Sequence, residues 1–147
     1  MIQITVDGKK INAKEDQTVL EAATENGIYI PNLCYHPNLK PIAACRLCVV
    51  EIEKMRGFPT SCTTKISEGM VVKTNTPELQ KLRKNLIWLV LSNYPKDIPA
   101  SSDLKKVVDY VGVNEILKNY TPEEKNLPIY SEDPLFVRDL DKCILCG

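Results

Sequence analysis

Cysteine spacing constrains this 147-residue chain more than any other feature. Cys34, Cys45, Cys48 and Cys62 stand with ten, two and thirteen residues between them. Four thiolates from one short stretch fill the outer positions of a two-iron, two-sulfide cluster, and thiolate is the soft ligand that iron accepts there. The two-residue spacer of Cys45-Arg46-Leu47-Cys48 predicts a tight chelate whose sulfurs converge on one metal centre. Cys34 precedes that pair on a loop, and Cys62 follows it across a hairpin.

Other uses of four cysteines compete with this reading. Zinc modules usually present two Cys-x-x-Cys knuckles, or one knuckle and a histidine pair. Here one knuckle is flanked by two single cysteines, and His36 is the chain's one histidine. A zinc-stapled interaction module remains the alternative. A Rieske centre needs two histidines and is excluded by count. Disulfides suit an oxidising compartment, whereas reduced thiols bind metal or do redox work. His36, followed by proline, reads as a loop residue beside the site and not as a ligand. Arg46 is either a solvated charge or an offset to a thiolate-ligated cluster. Cys143-x-x-Cys146 is a second, weaker signal. Alone it is a zinc half-site or a redox pair, but it also matches the opening of a bacterial [4Fe–4S] ferredoxin run. Two cysteines cannot hold a four-iron cluster, so the expectation is a longer native polypeptide.

Charge excludes one class of function. Nineteen basic and nineteen acidic residues cancel, so no basic surplus is available for phosphate neutralisation, and no nucleic-acid partner is expected. The longest apolar run, Leu86 to Leu91, is too short to span a bilayer, and no secretory leader opens the chain. The expectation is a soluble, cytoplasmic protein.

Along the chain, Ile2, Ile4 and Val6 alternate as a strand, Asp7-Gly8 turns, and residues 9–13 return as a second strand. Thr18 and Glu21 match a capping box at a helix start, and Gly27 ends that helix. Residues 32–44 show neither period, which suits a ligand-bearing loop stiffened by Pro31, Pro37 and Pro41. Strands are expected at 48–53, 58–62 and 69–73, with a turn at 55–57. Thr76-Pro77-Glu78 starts a helix whose apolar stripe is Leu79, Leu82, Leu86, Leu89 and Val90, read as core packing. A second helix around Leu104 to Val111 is capped by Ser101 or Ser102 and stopped by Gly112. A short third helix is expected at 114–120, a linker at 121–133, and an extended segment at 136–138.

The stretch from Ile30 to Pro37, then Ala44 to Glu51, then Cys62, resembles the N-terminal [2Fe–2S] domain of the large iron–sulfur subunit of respiratory complex I. Iron-only hydrogenases and NAD-linked formate dehydrogenases carry similar domains. The resemblance implies an α+β chain: a β-grasp [2Fe–2S] ferredoxin-like domain over 1–78, followed by a small helical segment over 79–128. It also implies that Cys34, Cys45, Cys48 and Cys62 hold the cluster. In that family a histidine and three cysteines next bind a [4Fe–4S] cluster. Here those positions are Tyr94, Ile98, Ser101 and Val107, so that cluster is expected to be lost. Residues 129–147 resemble a linker and the entry to a [4Fe–4S] ferredoxin-like domain, with Cys143 and Cys146 as a partial ligand set. The implied function is single-electron transfer within an NAD(P)H-linked oxidoreductase of hydrogenase, formate dehydrogenase or electron-bifurcating type. Its implied partners are a flavin-containing subunit and other iron–sulfur subunits. A second implied reading makes the chain the N-terminal part of a catalytic hydrogenase or formate dehydrogenase subunit. No Gly-x-Gly-x-x-Gly fingerprint is present, so the chain is not expected to bind NAD(H) or catalyse by itself.

Overall fold

The computed structural model describes residues 1–113 and 125–146. The chain divides into two compact units, Met1–Arg83 and Lys84–Cys146.

Alternation builds the first unit. Strands β1 (Ile2–Val6) and β2 (Lys9–Ala13) pair antiparallel with Ile4 opposite Ile11, which sets both side chains on the buried face. The turn between them uses left-handed backbone at Asp7 (φ 49°) and Gly8 (φ 81°), as a tight hairpin requires. Strands β3 (Glu51–Ile52) and β4 (Val71–Lys73) pair antiparallel, and β4 lies parallel to β1. The four-stranded mixed sheet therefore runs β2-β1-β4-β3. Asp7 accepts from the Thr74 amide at 2.7 Å, tying the hairpin turn to the end of β4.

Helix α1 (Val19–Glu25) buries Val19, Leu20, Ala22 and Ala23 in the same core as Ile4, Val6 and Val72. Its capping box is present: Glu21 accepts from the Thr18 amide at 2.7 Å, and Thr18 Oγ1 accepts from the Glu21 amide at 3.3 Å. Burial opposes ionisation of Glu21, but the Thr18 bonds, Tyr35 and Lys65 together lower its carboxyl pKa from 4.5. A depressed folded pKa makes the contribution complete above the unfolded value and lost as pH falls through the folded one. Thr18→Ala should therefore cost about 1 kcal/mol near neutrality. Glu21→Gln should destabilise the chain near neutrality and converge with the parent in acid. Urea midpoints measured across that range check both.

Two strand expectations are corrected. Residues 48–53 yield only the two-residue β3, and 58–62 forms no strand, only a single bridge from Val49 to Thr60. The turn falls at Ile52–Met55, where the Met55 amide bonds the Ile52 carbonyl and Lys54 is left-handed at φ 66°.

In helix α2 (Pro77–Leu91) the buried row is Leu79, Arg83, Ile87 and Leu91. Leu82, Leu86 and Val90 are partly exposed, and Leu89 is exposed, so the expected stripe sat one helical row away. The second unit begins within α2. Its helix α3 (Asp103–Val111) buries Leu104, Val107 and Val108. Ser102, not Ser101, caps it by accepting from the Lys105 amide at 3.2 Å, and left-handed Gly112 closes it. Strands β5 (Ile129–Tyr130) and β6 (Arg138–Asp139) pair antiparallel, so part of the expected linker is a strand. The expected helix at 114–120 lies outside the described residues. Among the described residues no helix is long and apolar enough to cross a membrane.

Candidate metal centre

The cysteine segments are positioned by backbone groups that regular structure leaves free. The first two amides of α1, on Val19 and Leu20, have no intrahelical acceptor. They bond the carbonyls of Thr64 (2.9 Å) and Ser61 (3.0 Å), which clamps the segment holding Cys62. On the Cys48 side, the Ser61 amide bonds the Cys48 carbonyl at 3.0 Å and the Val50 amide bonds the Pro59 carbonyl at 3.0 Å. Cys48 and Cys62 are thus fixed on adjoining backbones. Both are buried within the same core cluster as Leu20 and Val50.

The opposite side of the Cys48 segment is held by Arg83. Its guanidinium, 1% exposed, donates from Nε to the Leu47 carbonyl (3.0 Å) and from Nη2 to the Val49 carbonyl (2.7 Å). Nη1 donates to the Thr74 carbonyl at 2.8 Å. The one guanidinium thus satisfies three carbonyls from two separate segments of the chain. Sequence reasoning overlooked Arg83. Its one signal was spacing, four residues after Leu79 and four before Ile87, where a charge reads as a solvent-facing residue.

Cys34 and Cys45 are partly exposed and belong to the loop. Tyr35 anchors the Cys34 end, its hydroxyl donating to Glu21 at 3.1 Å and its ring packing on the core. Burial, then Glu21, raises the Tyr35 pKa, so it stays a donor. Ala43 (φ 55°) and Arg46 (φ 58°) are left-handed, which costs strain in a non-glycine residue and turns successive amides inward. The amide of Cys45 donates to Cys34 Sγ at 3.5 Å. Burial raises the Cys45 thiol pKa, while amides of Leu47, Leu33 and Cys34 directed at its sulfur oppose that rise.

The thiols meet as two pairs, Cys34 with Cys45 and Cys48 with Cys62. The hydrogen bond from Cys62 pulls the Cys48 thiol down to about 6, against burial and with help from the Cys62 amide and the adjacent Ser61 hydroxyl. The same bond, then burial, then the other three sulfurs, drive the Cys62 thiol far above its usual range. Within the expected Cys45–Cys48 chelate, each thiol meets the single cysteine on its own side.

That arrangement fits a two-iron, two-sulfide group. Each iron of such a group takes two outer thiolates, and amides directed at sulfur are the hydrogen bonds it accepts. All four cysteines are free thiols. Among the described residues no group of three or more His, Cys, Asp or Glu side chains is arranged around a single-ion site. His36 is exposed, and its Nδ1 accepts from the Asn38 amide at 3.2 Å, so that nitrogen is engaged in a local turn.

In the second unit, Cys143 is exposed and Cys146 partly so, on irregular backbone after β6, with the Cys143 amide on the Leu140 carbonyl. Tyr94 and Val107 are buried and Ile98 partly so, as packing residues, where the resembled family has iron ligands.

Comparison with known proteins agrees with this geometry. Residues 1–77 match the model of the "2Fe-2S iron-sulfur cluster binding domain" family. The chain is 34% identical to a subunit of an NADH-quinone oxidoreductase of Rhizobium meliloti, over 99% of this chain and 18% of that protein. It is 37% identical to NADP-reducing hydrogenase subunit HndD of Solidesulfovibrio fructosivorans, over 99% of this chain and 26% of that protein. The chain thus spans roughly a fifth to a quarter of the length of these relatives. Among solved structures it resembles a chain of an NAD+-reducing [NiFe]-hydrogenase in the H2-reduced state, with TM-score 0.84 and 28% identity, covering 99% of this chain and 63% of that one. The α+β, ferredoxin-like reading of the fold stands.

Proposed function

This chain belongs to the family of 2Fe-2S iron-sulfur cluster binding domains, and from that premise we propose that it is a single-electron carrier inside an NAD(P)H-linked oxidoreductase. Cys34, Cys45, Cys48 and Cys62 would hold the cluster. The observation that carries this reading is the two-by-two meeting of the thiols, half of it inside the hydrophobic core. A [2Fe–2S] group supplies one-electron redox chemistry, and the protein sets its accessibility and potential.

The residues divide that work. The buried pair, Cys48 and Cys62, excludes water from one side. The partly exposed pair, Cys34 and Cys45, forms the side through which electrons enter and leave. Amides of Leu33, Cys34 and Leu47 stabilise negative charge on Cys45, and Arg83 keeps the Cys48 segment in register.

The donor in this reading is a flavin-containing subunit that oxidises NAD(P)H, and the acceptors are other iron–sulfur subunits of a cytoplasmic complex. The names of two relatives, an NADP-reducing hydrogenase subunit and an NADH-quinone oxidoreductase subunit, support the link to NAD(P)H. Residues 1–78 form the cluster domain, 79–128 a helical segment that has lost a His/Cys3 site, and 129–147 the approach to a [4Fe–4S] domain. Cys143 and Cys146 supply two thiolates of that [4Fe–4S] set, with the other ligands coming from outside residues 1–147. Anaerobic titration of the iron-reconstituted chain tests the carrier role. Visible absorption should bleach and recover along a one-electron curve. Irreversible bleaching, or a two-electron slope, would exclude the role.

A further inference from the structure

Ser61 is the residue on which this site leaves an unanswered question. Among the described residues its hydroxyl is the one buried side-chain oxygen or nitrogen without a hydrogen-bond partner, and the residue is 0% exposed. Orphaned buried hydroxyls are rare in folded proteins because water has been removed and nothing replaces it. The backbone of Ser61 is held in place, its amide on the Cys48 carbonyl and its carbonyl on the Leu20 amide, each at 3.0 Å. Those two bonds fix Ser61 alongside Cys48 and one residue before Cys62, with its hydroxyl buried and unpaired between the two cysteine segments.

A thiol sulfur is a weak acceptor, and a metal-bound thiolate carrying negative charge is a far better one. We propose that Ser61 is a potential-setting residue, whose Oγ–H donates to the Cys48 sulfur when the cluster is in place. The inference rests on the cluster assignment above and adds a donor that is not a backbone amide. Hydrogen bonds to cluster sulfur favour the more negatively charged reduced state and raise the potential. The hydroxyl orients and tunes. It does not hold iron.

The test compares the parent chain with Ser61→Ala and Ser61→Thr by iron content, midpoint potential and resonance Raman in light and heavy water. Ser61→Ala should bind as much iron as the parent. Its potential should fall by about tenfold in the one-electron equilibrium, or about 59 mV. Its apo form should be no less stable, because only an unsatisfied group is removed. The deuterium shift of the iron–thiolate stretch should shrink in Ser61→Ala and persist in Ser61→Thr, which keeps the hydroxyl and the parent potential. An unchanged potential in Ser61→Ala overturns the inference, as does failure of that variant to assemble a cluster. A parent chain that binds no iron would instead sink the cluster assignment itself, so the two failures are distinguishable.

Discussion

Cys48→Ser is expected to lower bound iron by at least about tenfold and to abolish the visible absorption of the reconstituted chain. Serine keeps nearly the same shape, but its oxygen holds its proton far more tightly than sulfur and is a poor partner for iron. The position is severe because Cys48 is buried in the core beside Cys62, where no other ligand can replace it. Removing it leaves Cys62 isolated in the core with its proton and no partner. The loss should reach the loop, because residues 32–44 make few backbone hydrogen bonds of their own, such as Leu39 to His36. Ligation by Cys34 and Cys45 then orders that loop, and amide exchange across 32–44 should rise sharply in the variant. Full iron content in Cys48→Ser would remove Cys48 from the ligand set.

The second large effect belongs to Arg83. Arg83→Met keeps most of the buried volume and removes all donors. The carbonyls of Leu47, Val49 and Thr74 then lose their Arg83 donors inside the protein, each at a cost of about 1–3 kcal/mol. Relief from burying the guanidinium returns part of that cost. A net loss of about 3–5 kcal/mol is expected, read as a drop in the urea midpoint of the apo chain with little change in slope. Arg83→Lys reaches one carbonyl instead of three and should fall between the two. A loss under about 1 kcal/mol in Arg83→Met would show that the three bonds contribute only as surface contacts do.

What sequence alone made readable follows the range of each interaction. The β1–β2 hairpin, the Thr18–Glu21 capping box, and the Ser102 and Gly112 ends of α3 are local devices. Alternation, a turn pair and cap residues determine them within a few positions. The cysteine spacing was readable for the same reason. The α2 stripe was misplaced because its buried row contains Arg83, and a hydrophobicity pattern sees a charge there as an interruption. The strand expected at 48–53 was overlong for a related reason. The Leu47 and Val49 carbonyls are spent on a side chain 34 or 36 residues away instead of on a ladder. The meeting of Cys48 with Cys62 depends on the α1 amides that bond the Ser61 and Thr64 carbonyls. Ser61 carried no sequence signal, since an orphaned hydroxyl is defined only by what surrounds it.

The most direct measurement is elemental and sulfide analysis of the anaerobically reconstituted chain, joined to electron paramagnetic resonance after dithionite reduction. The account predicts about two irons and two acid-labile sulfides held by the four first-unit cysteines, and one half-spin signal from a mixed-valence pair. A colourless protein with a single zinc bound by those cysteines, and no signal on reduction, would contradict it.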